Sequence, residues 1–279
     1  MTTLSVRAKD MPSHISISQI NKYLGCGEAY RLQYIEGIKQ PPNVLMIKGS
    51  AFHKAAETNN LQKKKTKKDL SVDELKEIAS NDLDSRFQNE ISYKKDELEN
   101  KDKAKGKAKD SLMGAVDQLA IHTKDVMPIE TEAEYNIEIP GINKPLKAII
   151  DCITDDNRVI DYKVTGKPKT QLETNVDIQL MAYSLIHRVH FETFPQVEFH
   201  NYVTKHTKTK GHETVFNELS TYHDENSITP LINTLKVVSE SIQKGIFLPA
   251  AKGSWQCSPT ACSHYHSCKY INGKSRFGI

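Results

Sequence analysis

A chain of 279 residues in which 38% are hydrophobic and 26% charged can bury a real core, and it reads as a soluble globular protein of one large or two modest domains. Its net charge of +3 permits a nucleic-acid partner without demanding one, so the placement of charge matters more than its sum. No apolar run approaches the roughly 18–20 residues that span a bilayer, and the N-terminus lacks the apolar core of a signal peptide, which predicts a cytoplasmic protein with no membrane partner. In that compartment the five cysteines, Cys26, Cys152, Cys257, Cys262 and Cys268, point to metal binding before structural disulfides.

Residues 1–15 carry no pattern and are expected to fray. Ser16-Ile17-Ser18-Gln19 resembles a capping box, and Ile20, Tyr23, Leu24, Tyr30 and Tyr34 follow at helical spacing. Gly25-Cys26-Gly27 interrupts that pattern, predicting two helices or a kinked one with Cys26 at the junction. After the linker Pro41-Pro42-Asn43, Ser50 is a plausible N-cap for a helix that sets His53 and Glu57, four residues apart, on one face. Residues 60–127 are lysine-rich, with runs at 63–68 and 101–109 that read as solvated helix faces or mobile loops, the alternative being contacts that track DNA phosphates. Leu70, Leu75, Ile78, Leu83 and Phe87 supply the apolar side of a helical subdomain.

Glu132, Glu134 and Glu138 alternate with Ala133, Tyr135, Ile137 and Ile139, a half-exposed strand ending at Pro140-Gly141. Two apolar runs then flank the turn-forming Asp155-Asp156-Asn157 as an antiparallel hairpin. If it is symmetric about Asp156, Asp151 stands opposite Asp161 with Cβ atoms about 4.5–5.5 Å apart, and Lys163 shares their face while Ile160, Tyr162 and Val164 point inward. Like charges so placed are destabilising unless a cation lies between them, and two aspartates at this spacing suit Mg²⁺ or Mn²⁺. A helix over 171–190 should bury Val176, Leu180 and Leu185 and set Gln179 and Tyr183 on one face. Residues 196–205 and 212–219 read as a second strand pair with Gly211 in the turn, and Leu231, Leu235, Val238 and Ile242 mark a last helix.

The tail spaces Cys257, Cys262 and Cys268 as Cys-x4-Cys-x5-Cys, three thiols that need a fourth ligand. Cys26 can supply it, closing a loop of 230 intervening residues, while Cys152 falls on an inward-facing strand position as the bystander. On spacing alone, four thiolates suit a [4Fe-4S] cluster or Zn²⁺ equally, and His264 and His266 keep a Cys₃His zinc site in play.

Taken together, Ser16, Ser18, Tyr23 and Cys26, then Gly49, His53 and Glu57, Asp151, Asp161-x-Lys163, Gln179-x3-Tyr183 and Trp255-x-Cys257 resemble, in this order, the RecB-like exonuclease branch of the PD-(D/E)XK nuclease superfamily, in particular its iron–sulfur members. The sequence departs from that pattern at Gly27, where the branch usually has Pro, at Asp161, where Glu is commoner, and at Lys147-Ala148 before the Asp151 strand. The resemblance implies an α/β (α+β) fold with a restriction-endonuclease-like core, a central mixed sheet flanked by helices. It divides one nuclease domain into N-terminal helices (16–60), a helical insertion (61–127), a catalytic core (128–250) and an iron–sulfur segment (251–279). It implies His53, Asp151, Asp161 and the Tyr162 carbonyl as ligands of Mg²⁺ or Mn²⁺, Lys163 at the attacking water, and Gln179 and Tyr183 in support or on substrate. It also favours a [4Fe-4S] cluster on Cys26, Cys257, Cys262 and Cys268 over zinc. The implied activity is exonucleolytic hydrolysis of DNA that is single-stranded or has free ends, in recombination, repair or phage DNA processing, with a helicase or recombination protein as a further partner. The rival functions are a catalytically silent DNA-binding or scaffolding subunit and a zinc-containing DNA-binding module.

Overall fold

The computed structural model describes residues 11–207 and 211–271, so the first ten residues of the expected frayed segment, the last eight of the tail and residues 208–210 lie outside it. The chain divides into two compact units, one of 1–40, 136–148 and 229–279, the other of 41–135 and 149–228. No described helix is long and apolar enough to cross a membrane.

In the second unit, α3 (Val44–Thr66) begins where the Asn43 side chain accepts the Met46 N–H at 2.9 Å. The expected cap at Ser50 is therefore corrected: Asn43, directly after two prolines, already satisfies the first turn, and Ser50 lies inside the helix. α4 (Val72–Arg86) starts from a Ser71/Glu74 capping box, the short α5 (Lys95–Leu98) follows, and α6 (Lys101–His122) is capped by Asn100. Phe52 and Ala55 of α3, Leu75 and Leu83 of α4, and Leu112 and Leu119 of α6 share one core with Cys152, Ile160, Tyr162 and Tyr202 of the sheet. The lysine runs are only partly solvated. Lys63 is 3% exposed and donates to Thr123 O and Lys124 O at 2.7 Å and to Asp69 at 2.9 Å, so its ammonium satisfies carbonyls at the end of α6. Lys105 and Lys109 both pair with Asp84.

The sheet runs β1 (Pro128–Ile137), β2 (Leu146–Thr154), β3 (Arg158–Thr165), β4 (Gln196–Thr207) and β5 (Gly211–Tyr222), in that spatial order. β2 and β3 are antiparallel with Cys152 opposite Ile160 and Ile153 opposite Val159, the register that places Asp151 beside Asp161. β3 and β4 are parallel and β4 and β5 antiparallel, which makes the sheet mixed. Gly211 opens β5. The parallel step needs a crossover, supplied by α7 (Gln171–Asn175) and α8 (Ile178–Phe191). The single helix expected over 171–190 is thus two. Asp177 caps α8 through the Gln179 and Leu180 N–H groups, and Val176, expected in the core, is 60% exposed at the break. Leu180 is buried and Leu185 only half so.

In the first unit, Ser16 caps α1 (Ile17–Gly25), Cys26 is extended, and α2 (Gly27–Tyr30) continues as a wider turn over Arg31–Ile35. α9 (Thr229–Gln243) buries Leu231, Leu235, Val238 and Ile242 as its spacing predicts. Gly27 has a packing reason: a Cβ there would meet the Leu248 backbone at 2.8 and 2.9 Å.

Candidate active site and cysteine cavity

Strands β1, β2 and β3 and helices α3 and α8 bring one carboxylate-rich site together within the second unit. Regular pairing of the hairpin ends beside Asp151, whose Oδ2 instead accepts the Tyr162 N–H at 2.8 Å. Asp161 is 1% exposed, with Oδ2 2.7 Å from Lys163 Nζ and Oδ1 accepting Gln179 Nε2 at 2.8 Å. Gln179 also donates to the Tyr183 hydroxyl at 2.7 Å, and that hydroxyl lies 3.1 Å from Ile149 O and 3.3 Å from Asp161 Oδ1. Gln179 and Tyr183 therefore hold the Asp161 carboxylate in place. From α3, His53 Nδ1 reaches Asp151 Oδ1 at 3.5 Å.

The sequence reading missed Glu132. Its Oε1 is 3.6 Å from His53 Nδ1, and one donor atom each of His53, Glu132 and Asp151 lie within 4.8 Å of one another, close enough to share an ion. Period-two alternation puts Glu132 with Glu134 and Glu138 on the exposed face of a regular strand. In the structure it takes φ +45°, the left-handed region, inside β1, and no residue pattern announces such a kink at a non-glycine position. Glu57 joins His53, Glu132, Lys54 and Arg86 around an open depression of about 510 Å³.

The electrostatics of this cluster suit a cation among the carboxylates. Burial pushes the Asp161 carboxyl up to about 6, with Asp151 adding to the rise while Lys163 and His53 oppose it. Burial alone would lower His53, but the Asp151 charge and the hydrogen bonds to Asp151 and Glu132 outweigh it and hold the imidazole at about 10. Burial would likewise lower Lys163, and Asp161 keeps it above its ordinary value. The His53 proton thus occupies a place among carboxylates that a divalent ion could take, and Lys163 stands as an ammonium.

In the first unit, Cys26, Cys257, Cys262 and Cys268 line one cavity of about 230 Å³ together with His264. Cys26 is presented from the extended junction between α1 and α2 and accepts the Ala250 N–H at 3.3 Å. Burial raises the Cys262 thiol, and Cys26, Cys268 and Cys257 add to it. Among the described residues, no three cysteine sulfurs lie within 4.8 Å of one another. Cys152 is fully buried in the sheet core, and burial pushes its thiol to about 12.

Comparison with known proteins bears on the family and the fold. The family model described as the PD-(D/E)XK nuclease superfamily matches residues 14–271. A crystal structure named "Putative exonuclease", from Eubacterium rectale, superposes with a TM-score of 0.54 over 93% of this chain and 90% of its own, at 12% identity, which speaks for the fold. A second structure, SSO0001, covers 63% of this chain and 78% of its own at 18% identity, with a TM-score of 0.34 too low to carry an argument. No curated protein matches in sequence.

Proposed function

The chain belongs to the PD-(D/E)XK nuclease superfamily, and from that premise we propose that it is a deoxyribonuclease dependent on Mg²⁺ or Mn²⁺, acting as an exonuclease on DNA that is single-stranded or has free ends. The observation that carries this reading is the convergence of His53, Glu132, Asp151 and Asp161 beside the Lys163 ammonium. His53, Glu132, Asp151, Asp161 and the Tyr162 carbonyl would hold the ion or ions. When bound, such ions supply a water of lowered pKa and neutralise charge on the scissile phosphate and the departing oxygen. Lys163 donates from its ammonium to the attacking water or a phosphate oxygen, and Gln179 and Tyr183 keep Asp161 aimed. Lys54 and Arg86, on the depression beside His53 and paired there with Glu57 and Asp82, would turn to the flanking phosphates.

The test is degradation of end-labelled single- and double-stranded DNA with Mg²⁺, Mn²⁺ or EDTA, by wild type and Asp161→Ala. Metal-dependent release of mononucleotides by wild type alone is expected. Equal degradation by both proteins would sink the assignment, and DNA binding without cleavage by either would leave the silent-subunit reading.

The cysteine cavity is proposed to hold a structural [4Fe-4S] cluster on Cys26, Cys257, Cys262 and Cys268. Four thiols lining one cavity match the four corners that a protein supplies to such a cluster. A brown protein absorbing near about 400 nm after anaerobic purification is expected, whereas a colourless protein carrying zinc overturns the cluster.

A further inference from the structure

His264 is 1% exposed, yet neither of its ring nitrogens has a hydrogen-bond partner. A buried polar group left unmatched costs about 1–3 kcal/mol, so an orphaned imidazole marks a place where a partner belongs. His187, almost as buried, shows the usual solution, with Nδ1 2.9 Å from Thr193 O. The backbone holds His264 in place. Its carbonyl accepts both the N–H and the hydroxyl of Ser267 at 3.1 Å, at the head of the short turn Tyr265–Ser267. It lines the cavity shared by Cys26, Cys257, Cys262 and Cys268. Whatever the thiols hold is the natural partner of the ring.

We propose that His264 is a positioning residue that donates its imidazole N–H to a sulfur, thiolate or inorganic sulfide, of the group held by the four cysteines. The role rests on the iron–sulfur reading. Four thiolates already fill the protein-supplied corners of a [4Fe-4S] cluster, so the imidazole is not needed as a ligand, and hydrogen bonds to sulfur are among the factors that set the potential of such a centre. A donor stabilises the more electron-rich reduced state, and it also shields the sulfur from attack.

The experiment uses the full-length chain purified without oxygen, as wild type, His264→Ala and His264→Gln. Iron and acid-labile sulfide per chain, the midpoint potential from a dye-mediated titration, and the rate of iron release to a chelator are measured. Expected is full iron and sulfide in all three, with a more negative potential and several-fold faster iron release in the Ala variant. The Gln variant, which keeps an N–H donor, should be restored toward wild type. An unchanged potential and release rate in His264→Ala overturns the role while leaving the cluster standing. So does equal loss of iron from both variants, which would make His264 a ligand or a purely structural residue. Wild type without iron and sulfide overturns the cluster itself, and this role with it.

Discussion

Glu132 takes a backbone conformation that costs an L-residue roughly 1–2 kcal/mol, and its carboxylate faces His53. Glu132→Gly removes both the strain and the ligand. It should raise thermal stability by about 1 kcal/mol while lowering nuclease activity at least tenfold in limiting Mn²⁺. Glu132→Gln keeps the backbone cost and loses only the charge, so it should match the activity loss without the gain, and melting curves beside a metal titration would tell the two apart. Lys48 makes a second residue-scale case. Its ammonium is 5% exposed and bonded to the Ser111 and Thr204 hydroxyls, and burial pushes it down to about 8 from the ordinary 10.5. Between those values the folded chain binds fewer protons than the unfolded one, so this group makes stability rise with pH across that window. Below about 8 the charged amine costs on the order of 3 kcal/mol. Lys48→Met should flatten the rise, which denaturant melts at pH 7 and pH 10 would show, and an unchanged pH slope would refute it. Asp151, Asp161 and Lys163 were legible because a strand has period two and a symmetric turn fixes who faces whom. Glu132 and Lys48 were not, since one depends on a local break of that period and the other on helices packing around it.

At the scale of elements, caps and apolar spacing carried most of the reading. α1, α9 and the β2–β3 hairpin follow from Ser16, the 231/235/238/242 stripe and the 155–157 turn. Two helix boundaries did not follow. Asn43 caps α3 and leaves Ser50 inside the helix, and Asp177 splits a continuous apolar pattern by capping the start of α8. The parallel pairing of β3 with β4 was also hidden, because direction is set by the crossover and not by composition. Packing gives two predictions here. Leu112→Ala, in the core between α3, α4, α6 and the sheet, should cost about 2–5 kcal/mol in urea melts. Gly27→Ala forces a methyl against the Leu248 backbone and should cost about 1–3 kcal/mol, and because Cys26 is the preceding residue the proposed cluster should load less iron per chain.

At the scale of the whole molecule, the unit that carries the cysteines is assembled from the beginning, the middle and the end of the chain. That arrangement was readable only through Cys26, since the other cysteines lining its cavity lie more than two hundred residues away. A group held by all four cysteines, as proposed, would restrict the unfolded chain, on the disulfide scale by about 5 kcal/mol. Stripping the thiol-held group should therefore speed amide exchange in Ile17–Gly25 and Thr229–Gln243, as read by mass spectrometry. With that group in place, the tie would also work as a clasp. A chain nicked once anywhere between Cys26 and Cys257 leaves two fragments still fastened at one knot of sulfur, so in mild denaturant they should travel as a single species and come apart only when that knot is undone.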